Sequence, residues 1–158
     1  MKINEILSPK AVSADLKSTT KEDVIAELVG LLVQAGGIEK KHKNKIIEIL
    51  MAREALGSTA IGQGIAIPHG KSETVKKLIG CLGISKQGIN FDSLDGEPAY
   101  IFFLLVAPVD SAGPHLKALA RISRLLKDKY IRECLKTSQD EKNIFKLIYQ
   151  EDARLSKM

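Results

Sequence analysis

The sequence has only two cysteines and few aromatic residues. Cys81 and Cys134 are too few and too far apart for a disulfide scaffold or a structural zinc site. Aromatic residues make up 4% of the chain, which argues against the mixed basic and aromatic face that is typical of nucleic-acid binding. We therefore expect reduced, packed thiols and no nucleic-acid partner.

The sequence also lacks a long apolar run. The longest apolar stretch, Ala99 to Val109, is about half of what a membrane span needs. The N-terminal residues Met1 to Glu5 lack the apolar core of a signal peptide. We expect a cytoplasmic protein with no direct membrane insertion. Its 158 residues, 44% hydrophobic and 27% charged, suit a single globular domain spanning residues 1–158.

The spacing of apolar residues predicts helices towards both ends of the chain and strands in its middle. The predicted elements are a helical turn at Ile3–Leu7, strands at Val12–Leu16, Ile65–Ile67, Leu78–Ile84 and Ala99–Ala107, and helices at 20–35, 39–55, 113–127, 130–136 and 143–150. Thr20 is predicted to cap the first long helix, and Ser138 with Glu141 has capping-box spacing for the last. This order indicates the α/β class, with one mixed β-sheet flanked by helices on both faces.

The segment from Gly57 to Gly70 holds the strongest candidate for chemistry, which is His69. Pro68 restricts the backbone on one side of this histidine, and Gly70 permits unusual backbone conformations on the other. The sequence therefore predicts an imidazole held firmly at the end of a strand. Position alone leaves two interpretations open: a turn histidine bonded to a carbonyl, or a chemically active ring.

The surroundings of His69 favour the active ring. Gly57, Ser58 and Thr59 offer backbone N–H groups and hydroxyls that suit an anion. Arg53, at a predicted helix C-terminus, either complements the helix dipole or binds phosphate with its planar fork. His115, at a predicted helix N-terminus, is either a capping or surface residue or a donor to a phosphoryl oxygen.

The spacing of the three histidines does not match a metal-binding motif, and no serine-hydrolase elbow is present. A nucleophilic imidazole with anion donors, an arginine and a second histidine suits reversible phosphorylation of histidine. We therefore predict phosphoryl chemistry at His69 and no metal.

These residues lie in blocks that resemble a known family. The blocks run from Arg53 to Thr59, from Gly62 to Gly70, from Phe91 to Pro98 and from His115 to Ala120. They are similar to the enzyme IIA domains of the bacterial phosphoenolpyruvate-dependent sugar phosphotransferase system, in the fructose, mannitol and nitrogen-regulatory class (type 2).

The resemblance implies a phosphotransferase component that works through a covalent phosphohistidine at His69. Arg53 would neutralise the phosphoryl group, and His115 would hydrogen-bond within the active site. Gly57, Ser58, Thr59 and Gly70 match the motif as supporting residues. The resemblance implies no metal and no organic cofactor.

The resemblance also implies two functions. As a carrier in fructose-like sugar uptake, the protein would take phosphate from phosphohistidine on HPr, or on its nitrogen-branch counterpart, and pass it to a cysteine of enzyme IIB. As a nitrogen-regulatory protein, its phosphorylation state would switch binding to regulatory partners. Neither cysteine lies in the loop of a phosphocysteine IIB domain, so we expect a free-standing IIA or one cut from a longer chain.

Overall fold

The computed structural model describes residues 1–158, which form five α-helices and one six-stranded sheet. The helices are α1 (Lys21–Gln34), α2 (Lys43–Ala55), α3 (Ala112–Leu126), α4 (Lys129–Thr137) and α5 (Glu141–Ser156). The strands are β1 (Leu7–Ser13), β2 (Ala60–Gly62), β3 (Ile65–Ala66), β4 (His69–Lys71), β5 (Ile79–Ile89) and β6 (Ala99–Ala107). Short 3₁₀ helices cover Ile3–Glu5 and Lys40–His42. None of the helices combines the length and apolarity that crossing a bilayer requires.

The sheet mixes parallel and antiparallel pairs. Its order is β1-β5-β6-β3-β2, and β4 also pairs with β6. β1 runs parallel to β5, and both β3 and β4 run parallel to β6. The β5–β6 and β2–β3 pairs are antiparallel. The predicted mixed sheet is confirmed.

Strand β6 lies at the centre of two apolar cores. Its successive side chains point to opposite faces because the strand period is two. Phe102, Leu104 and Val106 pack with α1 and α2, whereas Ile101, Phe103 and Leu105 pack with α3, α4 and α5. The prediction of helices on both faces is confirmed, and β6 has the predicted bounds.

Side-chain caps set the start of several helices. The Thr20 hydroxyl accepts a hydrogen bond from the Asp23 N–H at 3.2 Å, as predicted. The prediction for the last helix was wrong: Asp140, not Ser138, caps α5, which runs from Glu141 to Ser156. The Glu141 carboxylate instead accepts a hydrogen bond from the Ala14 N–H at 2.8 Å, and this contact ties α5 to the segment after β1.

The first strand begins earlier than the sequence predicts. β1 starts at Leu7 and continues through Pro9, whereas the predicted strand began at Val12. Proline is tolerated here because β1 is an edge strand whose register with β5 shifts between Leu7 and Val12. β5 likewise extends beyond the predicted end at Ile84 to Ile89, across a register shift that contains Gly88 with φ of +83°.

Candidate functional site

His69 begins a strand instead of following one. β3 ends at Ala66, and His69 opens β4, where it lies opposite Leu105 of β6. The Pro68 carbonyl accepts a hydrogen bond from the Leu105 N–H at 2.9 Å, so the backbone on both sides of the histidine is bound to the central strand. The His69 side chain remains half-buried and accessible from solvent. The predicted firm placement therefore arises from pairing with β6.

Gly70 supports this position by its small size. Its φ is not positive, so the expected unusual backbone conformation is absent. A Cβ at Gly70 would lie 2.9 Å from Ile49 Cγ2 and 3.5 Å from Leu50 Cδ2. The glycine is needed because α2 approaches β4 closely, directly beside the histidine.

One hydrogen bond determines the tautomer of the His69 ring. His69 Nδ1 lies 2.8 Å from the carbonyl oxygen of Ile67. Because a carbonyl oxygen only accepts hydrogen bonds, Nδ1 must carry the proton. In the neutral ring, Nε2 then holds the free electron pair. Nε2 is therefore the nucleophilic atom of this site.

His115 lies beside His69. It occupies the first turn of α3, and the two ring centroids are 5.4 Å apart with their planes at 77°. His115 is only 6% exposed, and its Nε2 is buried without a hydrogen-bond partner. A buried polar atom without a partner is costly, and when Nε2 carries the proton, an acceptor oxygen that enters the site would satisfy it.

The surroundings of His115 favour its neutral form. Burial lowers its pKa, and the positive charges that His69 and Lys71 can carry lower the pKa further. A neutral imidazole donates through one nitrogen only and leaves the site without an additional cation. In this state His115 can therefore offer a single hydrogen bond, but no charge, to a group that enters the site.

Arg53 closes the C-terminal turn of α2. Its Nη1 donates a hydrogen bond to the Gly57 carbonyl at 2.8 Å, and no hydrogen bond joins it to His69. Gly57 has φ of +149°, and its own N–H donates to the Glu54 carbonyl at 3.1 Å. The structure thus brings the two histidines into contact and leaves Arg53 bound to the loop that follows α2.

The hydroxyls of the predicted anion cradle are hydrogen-bonded within the protein. Ser58 donates to the Phe91 carbonyl, and the Thr59 hydroxyl donates to the Glu54 carboxylate. The Thr59 N–H also donates to Glu54, at 3.1 Å. In this state these residues hold the loop, and a direct role in binding phosphate stays a prediction.

Two residues of the site were missed by sequence reasoning. Lys71 lies two residues after His69 in β4, so both side chains are on the same face of that strand. This signal was hidden because the sequence predicted a strand before His69 and none after it. Glu54 is 6% exposed, and the signal for it was its place in the block from Arg53 to Thr59 that carries the resemblance.

The cysteines do not contribute to the site. Cys81 is fully buried, and its thiol donates to the Leu28 carbonyl at 3.3 Å. Burial raises the pKa of Cys81 well above its usual range, which suppresses the reactive thiolate. Both cysteines are free thiols.

Comparison with known proteins identifies a family and relatives that this chain resembles. Residues 5–151 match the family model described as "Phosphoenolpyruvate-dependent sugar phosphotransferase system, EIIA 2". The chain is 38% identical over 148 residues to a nitrogen regulatory protein of Bradyrhizobium diazoefficiens, covering 94% of this chain and 95% of that protein. It is 39% identical over 152 residues to the fructose-specific EIIABC component of Bacillus subtilis, covering 96% of this chain but 24% of that protein.

A solved structure is also similar to this one. The nitrogen regulatory protein IIA-Ntr of Neisseria meningitidis superimposes with a TM-score of 0.83 at 32% sequence identity. The match covers 92% of this chain and 98% of that one. The relatives thus include both nitrogen-regulatory and fructose-specific proteins.

Proposed function

The chain belongs to the EIIA 2 family of the phosphoenolpyruvate-dependent sugar phosphotransferase system, and on this premise we propose that it carries a phosphoryl group on Nε2 of His69. The donor is phosphohistidine on HPr or on its nitrogen-branch counterpart. The acceptor is a cysteine of enzyme IIB. The cytoplasmic location expected from the sequence is part of this proposal.

The hydrogen bond between His69 Nδ1 and the Ile67 carbonyl is the observation that carries the proposal. It presents Nε2 of a half-buried ring as the free nucleophilic atom, next to a buried His115 whose own Nε2 lacks a partner. Such an arrangement suits a group that brings negative charge and acceptor oxygens.

The transfer chemistry follows from the same bond. Nε2 attacks phosphorus, the N–P bond to the donor histidine breaks, and the donor imidazole leaves with the electron pair. Nδ1 keeps its proton and donates a hydrogen bond to the Ile67 carbonyl. The phosphorylated ring therefore carries positive charge and is a good leaving group. A thiolate of enzyme IIB then attacks phosphorus, the Nε2–P bond breaks, and the neutral ring is restored.

Three nearby groups support a dianionic phosphoryl group. His115 Nε2 can donate a hydrogen bond to a phosphoryl oxygen once it carries the proton. Lys71 supplies positive charge close enough to lower the pKa of His115. Arg53 would exchange its hydrogen bond with the Gly57 carbonyl for a phosphoryl oxygen.

Exposed apolar side chains suit transient docking of protein partners. Leu116 follows His115 in α3 and is 68% exposed. Farther along α3, Ala120 lines a groove of about 720 Å³ that also includes Ile61 and Leu94. These exposed residues would be covered when HPr and enzyme IIB bind in turn.

A second function is favoured by a different observation. The nitrogen regulatory relative from Bradyrhizobium diazoefficiens matches this chain over 95% of its own length. In that function, phosphorylation of His69 would add about two negative charges and change which partner surfaces can bind. Both functions require phosphorylation of His69, and they differ only in the next step.

Reconstitution tests the proposal. Incubation with labelled phosphoenolpyruvate, enzyme I and HPr should place acid-labile phosphate on the wild-type protein. His69→Ala should fold and take up none, whereas the control His42→Ala should be labelled normally. Undiminished labelling of His69→Ala would overturn the site. Addition of candidate enzyme IIB proteins then separates the functions, since rapid discharge to a IIB cysteine supports the carrier and stable retention with every IIB supports the regulator.

A further inference from the structure

We propose that Glu54, Thr59 and Lys21 are positioning residues that hold the Ile67 carbonyl against His69 and thereby select Nε2 as the phosphoryl acceptor. None of the three needs to touch the phosphoryl group. The catalytic consequence rests on the proposed function, but the effect on the His69 ring does not.

The Ile67 carbonyl belongs to a peptide group with no N–H of its own. The next residue is Pro68, whose nitrogen carries no proton, so this peptide group cannot be anchored by a donor. The orientation of this peptide group depends on the hydrogen bonds that the neighbouring backbone groups make on either side of it. The Ile67 N–H donates to the Thr59 carbonyl at 3.0 Å, and the Pro68 carbonyl accepts from the Leu105 N–H at 2.9 Å. One anchor is the central strand, and the other is Thr59.

Thr59 is itself held by a single buried carboxylate. Its N–H donates to Glu54 Oε1 at 3.1 Å, and its hydroxyl donates to Glu54 Oε2. Thr59 is 4% exposed and Glu54 is 6% exposed. Hydrogen bonds to an ionised acceptor are stronger than neutral ones, and burial shields them from water. The position of the Thr59 backbone is therefore determined by the Glu54 side chain.

Lys21 places a positive charge beside this carboxylate. Its Nζ lies 3.4 Å from Glu54 Oε1 and 3.1 Å from Asp92 Oδ2, and it lies over the Phe91 ring at 4.7 Å from the centroid. The Phe91 carbonyl accepts the Ser58 hydroxyl, so the same lysine contacts a second anchor of the loop. A buried carboxylate without such a partner would be strongly destabilised.

A continuous network of one ion pair followed by hydrogen bonds therefore runs from Lys21 to the reacting ring. It passes through Glu54, Thr59 and Ile67 to Nδ1 of His69. If Thr59 loosens, the Ile67 carbonyl can turn away, and the tautomer with the proton on Nε2 becomes accessible. That tautomer has no free electron pair on Nε2, so the fraction of competent protein falls.

The test compares Thr59→Val with Thr59→Ser. Valine has a similar shape but no hydroxyl, whereas serine keeps the donor to Glu54. Histidine ring nitrogens labelled with ¹⁵N report the tautomer of His69 by NMR in the unphosphorylated protein. We expect wild type and Thr59→Ser to hold the proton on Nδ1, and Thr59→Val to populate the other tautomer. The rate of phosphorylation by phospho-HPr should fall about tenfold in Thr59→Val and stay within about twofold in Thr59→Ser.

Glu151→Gln is the matched control. Glu151 is a buried carboxylate paired with Arg154 at 2.8 Å on α5, so its loss weakens the fold without contacting the network. It should leave both the tautomer and the rate unchanged. If Thr59→Val does not fold, Lys21→Met takes its place, because Lys21 is 19% exposed and lies at the outer end of the chain of bonds.

A folded Thr59→Val, or Lys21→Met in its place, with the wild-type tautomer and rate would overturn the network. So would a wild-type ring with its proton on Nε2. These results are distinct from failure of the proposed function, which would appear as absence of phosphate on a wild-type His69 that still has the expected tautomer.

Discussion

Phosphorylation of His69 is expected to raise the pKa of His115. In the unphosphorylated protein, burial lowers this pKa, and any positive charge on His69 or Lys71 lowers it further. A phosphoryl group on His69 adds about two negative charges to the same small space. The imidazolium form of His115, which was disfavoured, becomes the preferred partner of the phosphoryl oxygens.

The size of the effect follows from the spacing of the rings. The phosphoryl group carries about two negative charges and the His69 ring, still protonated on Nδ1, carries one positive charge. The net charge of about −1, placed at the 5.4 Å separation of the ring centroids, stabilises an imidazolium by about 0.8 kcal/mol, even with the dielectric constant of water. This energy corresponds to a rise of about half a pKa unit. The true rise should be larger, because His115 is only 6% exposed and is screened less than a group in water.

The assay is an NMR titration of the histidine rings with and without phosphate on His69. We expect the pKa of His115 to rise by at least about half a unit on phosphorylation. His42, on the 3₁₀ helix before α2, is the internal control, and its ring signals should be the same in both forms. An unchanged or lower His115 pKa in the phosphoprotein would refute the reasoning, because it would place the phosphoryl group away from this ring.

Three further predictions concern single residues. Gly70→Ala should lower the free energy of unfolding in denaturant by about 1–3 kcal/mol, because its Cβ would lie 2.9 Å from Ile49 Cγ2; Gly113→Ala, whose Cβ meets nothing within 4 Å, should not be destabilised. Arg53→Gln should slow phosphorylation by phospho-HPr at least about tenfold with the fold intact; an unchanged rate would limit Arg53 to its bond with the loop. His115→Gln should flatten the decline in unfolding free energy below about pH 6.5. The folded pKa of His115 lies below its ordinary value of 6.5, so its stabilising contribution is complete above that pH and is lost as the pH falls towards the folded pKa; equal slopes in wild type and variant would contradict this.

The local sequence pattern was sufficient to predict an element or a cap where one interaction dominates its formation. Strand β6 was predicted with its exact bounds, since a strand covered on both faces is apolar at nearly every position. The cap of α1 was predicted because Thr20 and Asp23 are three residues apart and need no other part of the fold. His69 and His115 were identified as candidates by their neighbours in the chain.

The features that the sequence pattern did not predict depend on tertiary contacts. The start of β1 depends on its place at the edge of the sheet, where Pro9 needs no hydrogen-bond partner. The placement of His69 depends on pairing with β6, which lies more than thirty residues away in the chain. The tautomer of its ring depends on one carbonyl oxygen, and the use of the Thr59 hydroxyl depends on Glu54. No periodicity encodes these choices.

The most direct test of the account is the identity of the phosphorylated atom. The protein, with its histidine rings labelled with ¹⁵N, would be phosphorylated through enzyme I and HPr, and the coupling between phosphorus and ring nitrogen would be measured by NMR. The account predicts phosphorus on Nε2 of His69, with Nδ1 still bonded to the Ile67 carbonyl. Phosphorus on Nδ1 of that ring, or on His115 or His42, would contradict it.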